Sequence, residues 1–119
     1  MRILLVDDHE AVRRAMKETL DLTAGFEVVG EAATGADALE QVERVAPDVV
    51  IMDTRMPVMD GAEATRRIKE RFSDVRVVAF TSTGEASAVA PMLAAGASGY
   101  LLKGASLEKI SAVLEALDG

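Results

Sequence analysis

The chain has 119 residues, 13 of them Lys or Arg and 20 Asp or Glu, for a formal net charge of -7; half of its residues are apolar and none is cysteine. Disulfides and thiolate metal sites are excluded by that composition, and so acidic a domain is a poor candidate for neutralising nucleic-acid phosphates. The length suits one domain with a real core. The opening "MRILLVDD" is too short in apolar residues for a signal-peptide core and no run is long enough to cross a bilayer, so a soluble cytoplasmic domain without membrane association is expected.

In chain order, the first apolar run is "ILLV" at 3–6, closed by Asp7 and Asp8. Val12, Met16 and Leu20 then recur every four residues, the spacing of a helix with one buried face, with Gly25 expected at its stop and Asp8 as a candidate cap at its start. "VV" at 28–29 marks a second strand, expected at an edge and ending at Glu31. Thr34 to Asp37 reads as a cap with an acid at the third helical position, and Leu39, Val42 and Ala46 as the stripe of the helix that follows. "VVIM" at 49–52 ends at Asp53, and a second cap, Asp60 to Glu63, opens a helix with Ala64, Ile68 and Phe72 on one face.

"VVAF" at 77–80 runs into Thr81 and Ser82. The next helical stretch carries Pro91 and stops at Gly96. A proline in a helix interior removes a donor and clashes with the preceding turn, at about 3 kcal/mol. The regular fourth helix is therefore expected to begin near Pro91, with residues 84–90 loose or in a separate turn. "GYLL" at 99–102 precedes Lys103, and Leu107, Ile110, Leu114 and Leu117 form the last stripe, just before Asp118 and Gly119 end the sequence.

Five strands alternating with five helices, the strand runs continuous rather than alternating, imply a parallel sheet covered on both faces. Right-handed crossovers point to a flavodoxin-like doubly wound sheet of order 2-1-3-4-5, its fourth helix disturbed by Pro91. Ligands of such sheets bind beyond the carboxyl ends of the strands, at the switch point between strands 1 and 3. Asp7, Asp8 and Asp53 should converge there, with Thr81 and Lys103 on the far side. Three carboxylates so close repel by about 4 kcal/mol per pair at 4 Å and an effective dielectric near 20. Lys103 could offset this, and so could a hard divalent cation such as Mg2+, which takes one or two carboxylates plus phosphate oxygens.

A phosphoryl group is the natural ligand of such a pocket. A carboxylate can attack phosphorus to give an aspartyl phosphate once metal and lysine neutralise the developing charge. Asp53, alone at the tip of the central strand, is best placed to attack. Asp8, with Asp7 directly or through water, would hold Mg2+ (Mn2+ could substitute), and the Arg55 backbone carbonyl could complete the shell. Lys103 and Thr81 would each reach a phosphoryl oxygen. Plain structural roles exist for all of these residues; Tyr100 reads most simply as packing and His9 as a surface residue near a helix start.

"LLVDDH" at 4–9, "VVIMDTRMPVMDG" at 49–61, "VVAFTS" at 77–82 and "GASGYLLKG" at 96–104 together resemble the receiver domain of bacterial two-component response regulators, across essentially the whole of residues 1–119. "GEAATG" at 30–35 and "GASGYLLK" are similar to the NarL/LuxR-type subgroup, whose members usually carry a DNA-binding domain after the receiver. The resemblance implies a phosphorylation switch: a sensor histidine kinase phosphorylates Asp53, Thr81 turns toward the phosphate, Tyr100 moves from an outward to an inward rotamer, and the face of helix 4, strand 5 and helix 5 engages an output, in keeping with transcription control. DNA would be reached only through an output domain beyond residue 119, a second copy of the chain is a further candidate partner, and catalysis would be confined to the chain's own phosphorylation and dephosphorylation. Two positions depart from the family pattern: Gly104, where proline often follows the lysine, and Pro91 itself.

Among rivals, a phosphatase of the haloacid-dehalogenase type needs a second acid two residues after the nucleophile, where this chain has Arg55. A flavin carrier needs a phosphate-binding loop after strand 1, where this chain has "VDDHE". A degenerate receiver acting as an unphosphorylated interaction scaffold is the alternative from another class.

Overall fold

Five parallel strands form one sheet of order β2-β1-β3-β4-β5 in a computed structural model that describes residues 1–117. The elements are β1 (Arg2–Val6), α1 (Glu10–Asp21), β2 (Glu27–Ala32), α2 (Gly35–Val45), β3 (Val49–Asp53), α3 (Gly61–Arg71), β4 (Arg76–Thr81), α4 (Ala86–Ala95), β5 (Gly99–Leu102) and α5 (Leu107–Ala116). The expected flavodoxin-like order is the one observed.

The central strands explain their own composition. Leu4, Val6, Val50, Met52, Val77 and Ala79 point to one face, where Ala38 and Val42 of α2, Ala64 and Ile68 of α3 and Met92 of α4 cover them. Ile3, Leu5, Val49, Ile51, Val78 and Phe80 point to the other, against Met16 and Leu20 of α1 and Ile110, Leu114 and Leu117 at α5. Successive strand residues serve opposite faces, so a strand covered on both must be apolar throughout. The edge strands β2 and β5 are only partly covered and carry exposed residues.

Helix starts follow their caps. The side chains of Thr34, Asp60 and Ser106 accept from the N–H groups of Asp37, Glu63 and Lys109, supplying partners for otherwise orphaned donors. Gly96 closes α4 with φ +117°, a backbone that suits glycine.

Several local expectations are corrected. The first helix ends at the Leu22 cap, not at Gly25, which sits in the turn beyond with φ +95°. Asp8 does not cap α1: the N-cap position is His9, whose side chain makes no capping bond. Ala46 is the left-handed C-cap of α2, exposed, and the buried stripe is Gly35, Ala38 and Val42 instead. β2 continues one residue past Glu31, to Ala32.

Pro91 lies inside α4, and the helix begins five residues earlier, at Ala86, so residues 86–90 are helical rather than loose or in a separate turn as expected. Bonds from the N–H groups of Ala88 and Val89 to the Glu85 carbonyl establish its first turn. The proline deprives only the Ser87 carbonyl of its helical donor, and Ser87 is exposed, where water can serve it. Val89 and Met92, buried on either side of the proline, tie both halves to the core. The reading of Asp118 and Gly119 as the end of the domain falls outside the described residues. Among those described, no helix is long and apolar enough to cross a membrane.

Candidate functional site

Sheet register delivers the polar residues to one end. Val6 pairs with Met52, Asp53 with Phe80, and Thr81 with Leu102, so Asp7, Asp53, Thr81 and Lys103 all leave the sheet at its carboxyl edge. Asp7, Asp53 and Thr81 are each only 2 % exposed. Buried carboxylates need partners, and the partner is Lys103: its Nζ lies 3.0 Å from Asp7 Oδ2 and 3.1 Å from Asp53 Oδ1. The Lys103 N–H donates to the Thr81 carbonyl at 2.7 Å and its ammonium sits 5.6 Å from the centre of the Phe80 ring. One ammonium thus bridges two strand ends.

Asp7 is fixed from several sides. Its N–H donates to the Ala32 carbonyl (3.1 Å), its carbonyl accepts from Arg13 (2.5 Å), and Oδ1 accepts from the His9 N–H (2.8 Å). Asp53 Oδ1 accepts from the Arg55 N–H at 3.3 Å, while Oδ2 is buried without a hydrogen-bond partner. Burial first, and then the Asp7 charge, push the Asp53 carboxyl above the ordinary aspartate range, against the opposing pull of Lys103 and the Arg55 N–H. Burial also works against the charge of Lys103, but its bonds and charge attraction to Asp7 and Asp53 outweigh that and hold the ammonium above the ordinary lysine range.

The loop after β3 is shaped around Asp53. Its far end is held by the Gly61 N–H, which donates to the Thr54 carbonyl at 3.2 Å. Gly61 packs directly on the strand tip: a Cβ there would lie 2.0 Å from the Asp53 carbonyl oxygen. No other residue type fits that approach.

Of the residues singled out in the sequence, Asp7, Asp8, Asp53 and Lys103 do converge. Ligand atoms of Asp7, Asp8, His9 and Asp53 all lie within 4.8 Å of one another. Three carboxylates against one ammonium leave negative charge unbalanced. With the unpartnered Asp53 oxygen, the three carboxylates fit a hard cation. Thr81 is buried at the strand end, but its hydroxyl donates to the Thr83 carbonyl (3.0 Å) and accepts from the Thr83 N–H (3.3 Å) rather than meeting the acids. Tyr100 is exposed, its ring and hydroxyl lying over Gly84.

The sequence reads His9 as a surface residue. It is exposed, yet its Nδ1 is 3.1 Å from both Asp7 Oδ1 and Asp8 Oδ1. The available signal was its place two residues after Asp7, within reach of a side-chain turn.

Sheet order and site together define a doubly wound α/β domain with an acidic ligand crevice at its switch point. The model of the response regulator receiver domain matches residues 3–115, and the chain belongs to that family. It is 40 % identical over 117 residues to the response regulator UvrY of Escherichia coli K12, covering 98 % of this chain and 54 % of UvrY. It is 41 % identical over 110 residues to the response regulator GacA of Pseudomonas viridiflava, covering 92 % and 51 %. The chain therefore spans about half the length of the curated relatives it matches. Among solved structures it superimposes on the receiver domain of the putative response regulator NarL from Mycobacterium tuberculosis with a TM-score of 0.90, at 37 % identity over 99 % of this chain and 96 % of that one. A LuxR-family response regulator from Aurantimonas sp. gives 0.91 at 34 % identity, over 98 % and 83 %. Receiver domains are signalling modules rather than metabolic enzymes, and the chain is one of them.

Proposed function

We propose that Asp53 is the phosphoacceptor of this receiver, taking a phosphoryl group from the phosphohistidine of a sensor histidine kinase. The observation that carries this reading is a buried carboxylate at the central strand tip with one oxygen on Lys103 and the other without a partner. An Asp53 oxygen bonds to phosphorus as the phosphorus–nitrogen bond breaks, and the electron pair leaves with the kinase imidazole. Hydrolysis of the aspartyl phosphate by the same site returns the resting state.

Asp7, Asp8, Asp53 and the Arg55 backbone carbonyl would hold Mg2+, which supplies charge neutralisation at the phosphoryl oxygens. Lys103 needs little movement to serve the phosphoryl group, because it already contacts the acceptor. The Thr81 hydroxyl, now engaged with Thr83, would exchange that partner for a phosphoryl oxygen. Phosphate contacts made in only one arrangement shift a two-state equilibrium, and exposed Tyr100 is the group that would report the shift on the face of α4, β5 and α5. Two relatives are named as transcriptional regulatory proteins. We extend that role to the whole protein, with a DNA-binding output domain beyond residue 119.

The test is incubation with Mg2+ and acetyl phosphate, followed by intact mass. A base-labile phosphoryl adduct on the wild type, absent from Asp53→Ala, is the expected result. An adduct that survives in Asp53→Ala, or none on the wild type, overturns the assignment; the second outcome would leave the chain an unphosphorylated scaffold.

A further inference from the structure

We propose that His9 is itself a ligand of the cation held in this crevice, making it a mixed nitrogen and oxygen site that favours borderline transition ions such as Co2+ and Zn2+. The inference rests on reading the crevice as a cation site. His9 Nδ1 stands 3.1 Å from Asp7 Oδ1 and 3.1 Å from Asp8 Oδ1. Two donor atoms each about 2.1 Å from one ion, at a right angle, are about 3.0 Å apart. Each of these two pairs, a hydrogen bond or ion pair without an ion, therefore already has the spacing of neighbours on one coordination shell.

The lysine does not take those atoms. Lys103 takes Asp7 Oδ2 and Asp53 Oδ1, so Asp7 Oδ1 faces the imidazole instead. The Asp53 side chain, 2 % exposed, offers a carboxylate oxygen within 4.8 Å of the other ligand atoms, and its Oδ2 has no hydrogen-bond partner. The His9 main chain is held in position by its N–H bond to Asp7 Oδ1. With Nδ1 on an ion, the neutral ring carries its proton on Nε2.

Ligand chemistry sets the selectivity. Carboxylates suit Mg2+ and Mn2+, whereas imidazole adds affinity for Co2+, Ni2+ and Zn2+ and little for Mg2+. His9 is the single histidine, so any imidazole signature from a bound ion is that of His9.

The experiment titrates untagged wild type, His9→Ala and His9→Gln with Mg2+ and, separately, Co2+ at pH 7.5, following heat and the visible Co2+ spectrum. Circular dichroism confirms the fold of both variants, which change an exposed side chain. Loss of the imidazole should weaken Co2+ by about tenfold or more, shift its visible bands, and leave Mg2+ nearly unchanged. Equal Co2+ affinity and spectra in all three proteins, with Mg2+ still bound, overturns the role of His9 and leaves the cation site standing. A parallel loss of both ions overturns it too, because that is an effect on the acids and not a ligand. Binding of neither ion to the wild type removes the cation reading and this one together.

Discussion

Replacing Asp53 by asparagine should stabilise the metal-free fold at neutral pH. Lys103 attracts the Asp53 carboxylate across 3.1 Å, about 5 kcal/mol at an effective dielectric near 20. Ligand oxygens of Asp7 and Asp8 lie within 4.8 Å, so each repels by at least about 3.5 kcal/mol on the same scale, less for Asp8, which is partly exposed and screened. These charge interactions roughly cancel. Burial of the carboxylate, at several kcal/mol per ion, is left without compensation. Asparagine keeps the shape and can still accept from the Arg55 N–H. The net gain is about 2 kcal/mol, or about 8 °C in Tm for a domain of this size. Acid should narrow the difference. Burial and the Asp7 charge raise the Asp53 pKa, so between the ordinary aspartate value and the raised one the native state binds more protons than the unfolded state. Wild-type stability from this group therefore rises as pH falls through the raised pKa, while the asparagine variant lacks that gain. Thermal and urea unfolding in EDTA at pH 7.5 and at mildly acidic pH measures both effects. A variant less stable than wild type at pH 7.5, or a gap that widens in acid, would refute the charge balance described here.

Lys103→Met should cost about 3 kcal/mol in EDTA by leaving Asp7 and Asp53 unpaired, and adding Asp53→Asn should return much of the loss; urea midpoints that do not move would show the bridge to be unimportant. Gly61→Ala should be among the most damaging single changes, about 3 kcal/mol or more, because its Cβ would meet the Asp53 carbonyl oxygen at 2.0 Å; a wild-type unfolding midpoint would contradict that close approach. Val58→Gly should stabilise by about 1 kcal/mol, since this β-branched residue is fully exposed at φ +70° and has little packing to lose; a lowered Tm would mean the loop does not hold that backbone in solution.

The architecture was legible where a residue's surroundings are set by its element alone. β1, β3 and β4 must be apolar on both sides, and that is written in "ILLV", "VVIM" and "VVAF". Thr34 and Asp60 cap because their side chains act within one turn of their own backbone. Legibility failed where tertiary context decides. The proline penalty presumes a helix interior with nothing else to hold it, and α4 has Val89 and Met92 anchored on both sides of Pro91, with the freed Ser87 carbonyl at the exposed surface. Packing there outweighed a local rule, as it commonly does for helices in proteins.

The site was legible at the level of which strand ends meet, because sheet order alone brings Asp7, Asp53 and Lys103 to the same crevice. Which oxygen takes which partner was not, and that is where the chemistry is set. Lys103 could have faced one acid and instead divides between two, and it meets Asp53 at Oδ1 while Oδ2 has no hydrogen-bond partner. The two aspartates of "VVIMDTRMPVMDG" show the same division. Asp60 is a capping residue, satisfied by the Glu63 N–H one turn away. Its cap nevertheless starts α3 at Gly61, and the Gly61 backbone rests against the Asp53 carbonyl. Moving that helix start by one residue would place a side chain where none fits. The structural aspartate therefore helps fix the position of the one that carries the proposed chemistry, and sequence spacing between them is a steric constraint as much as a motif.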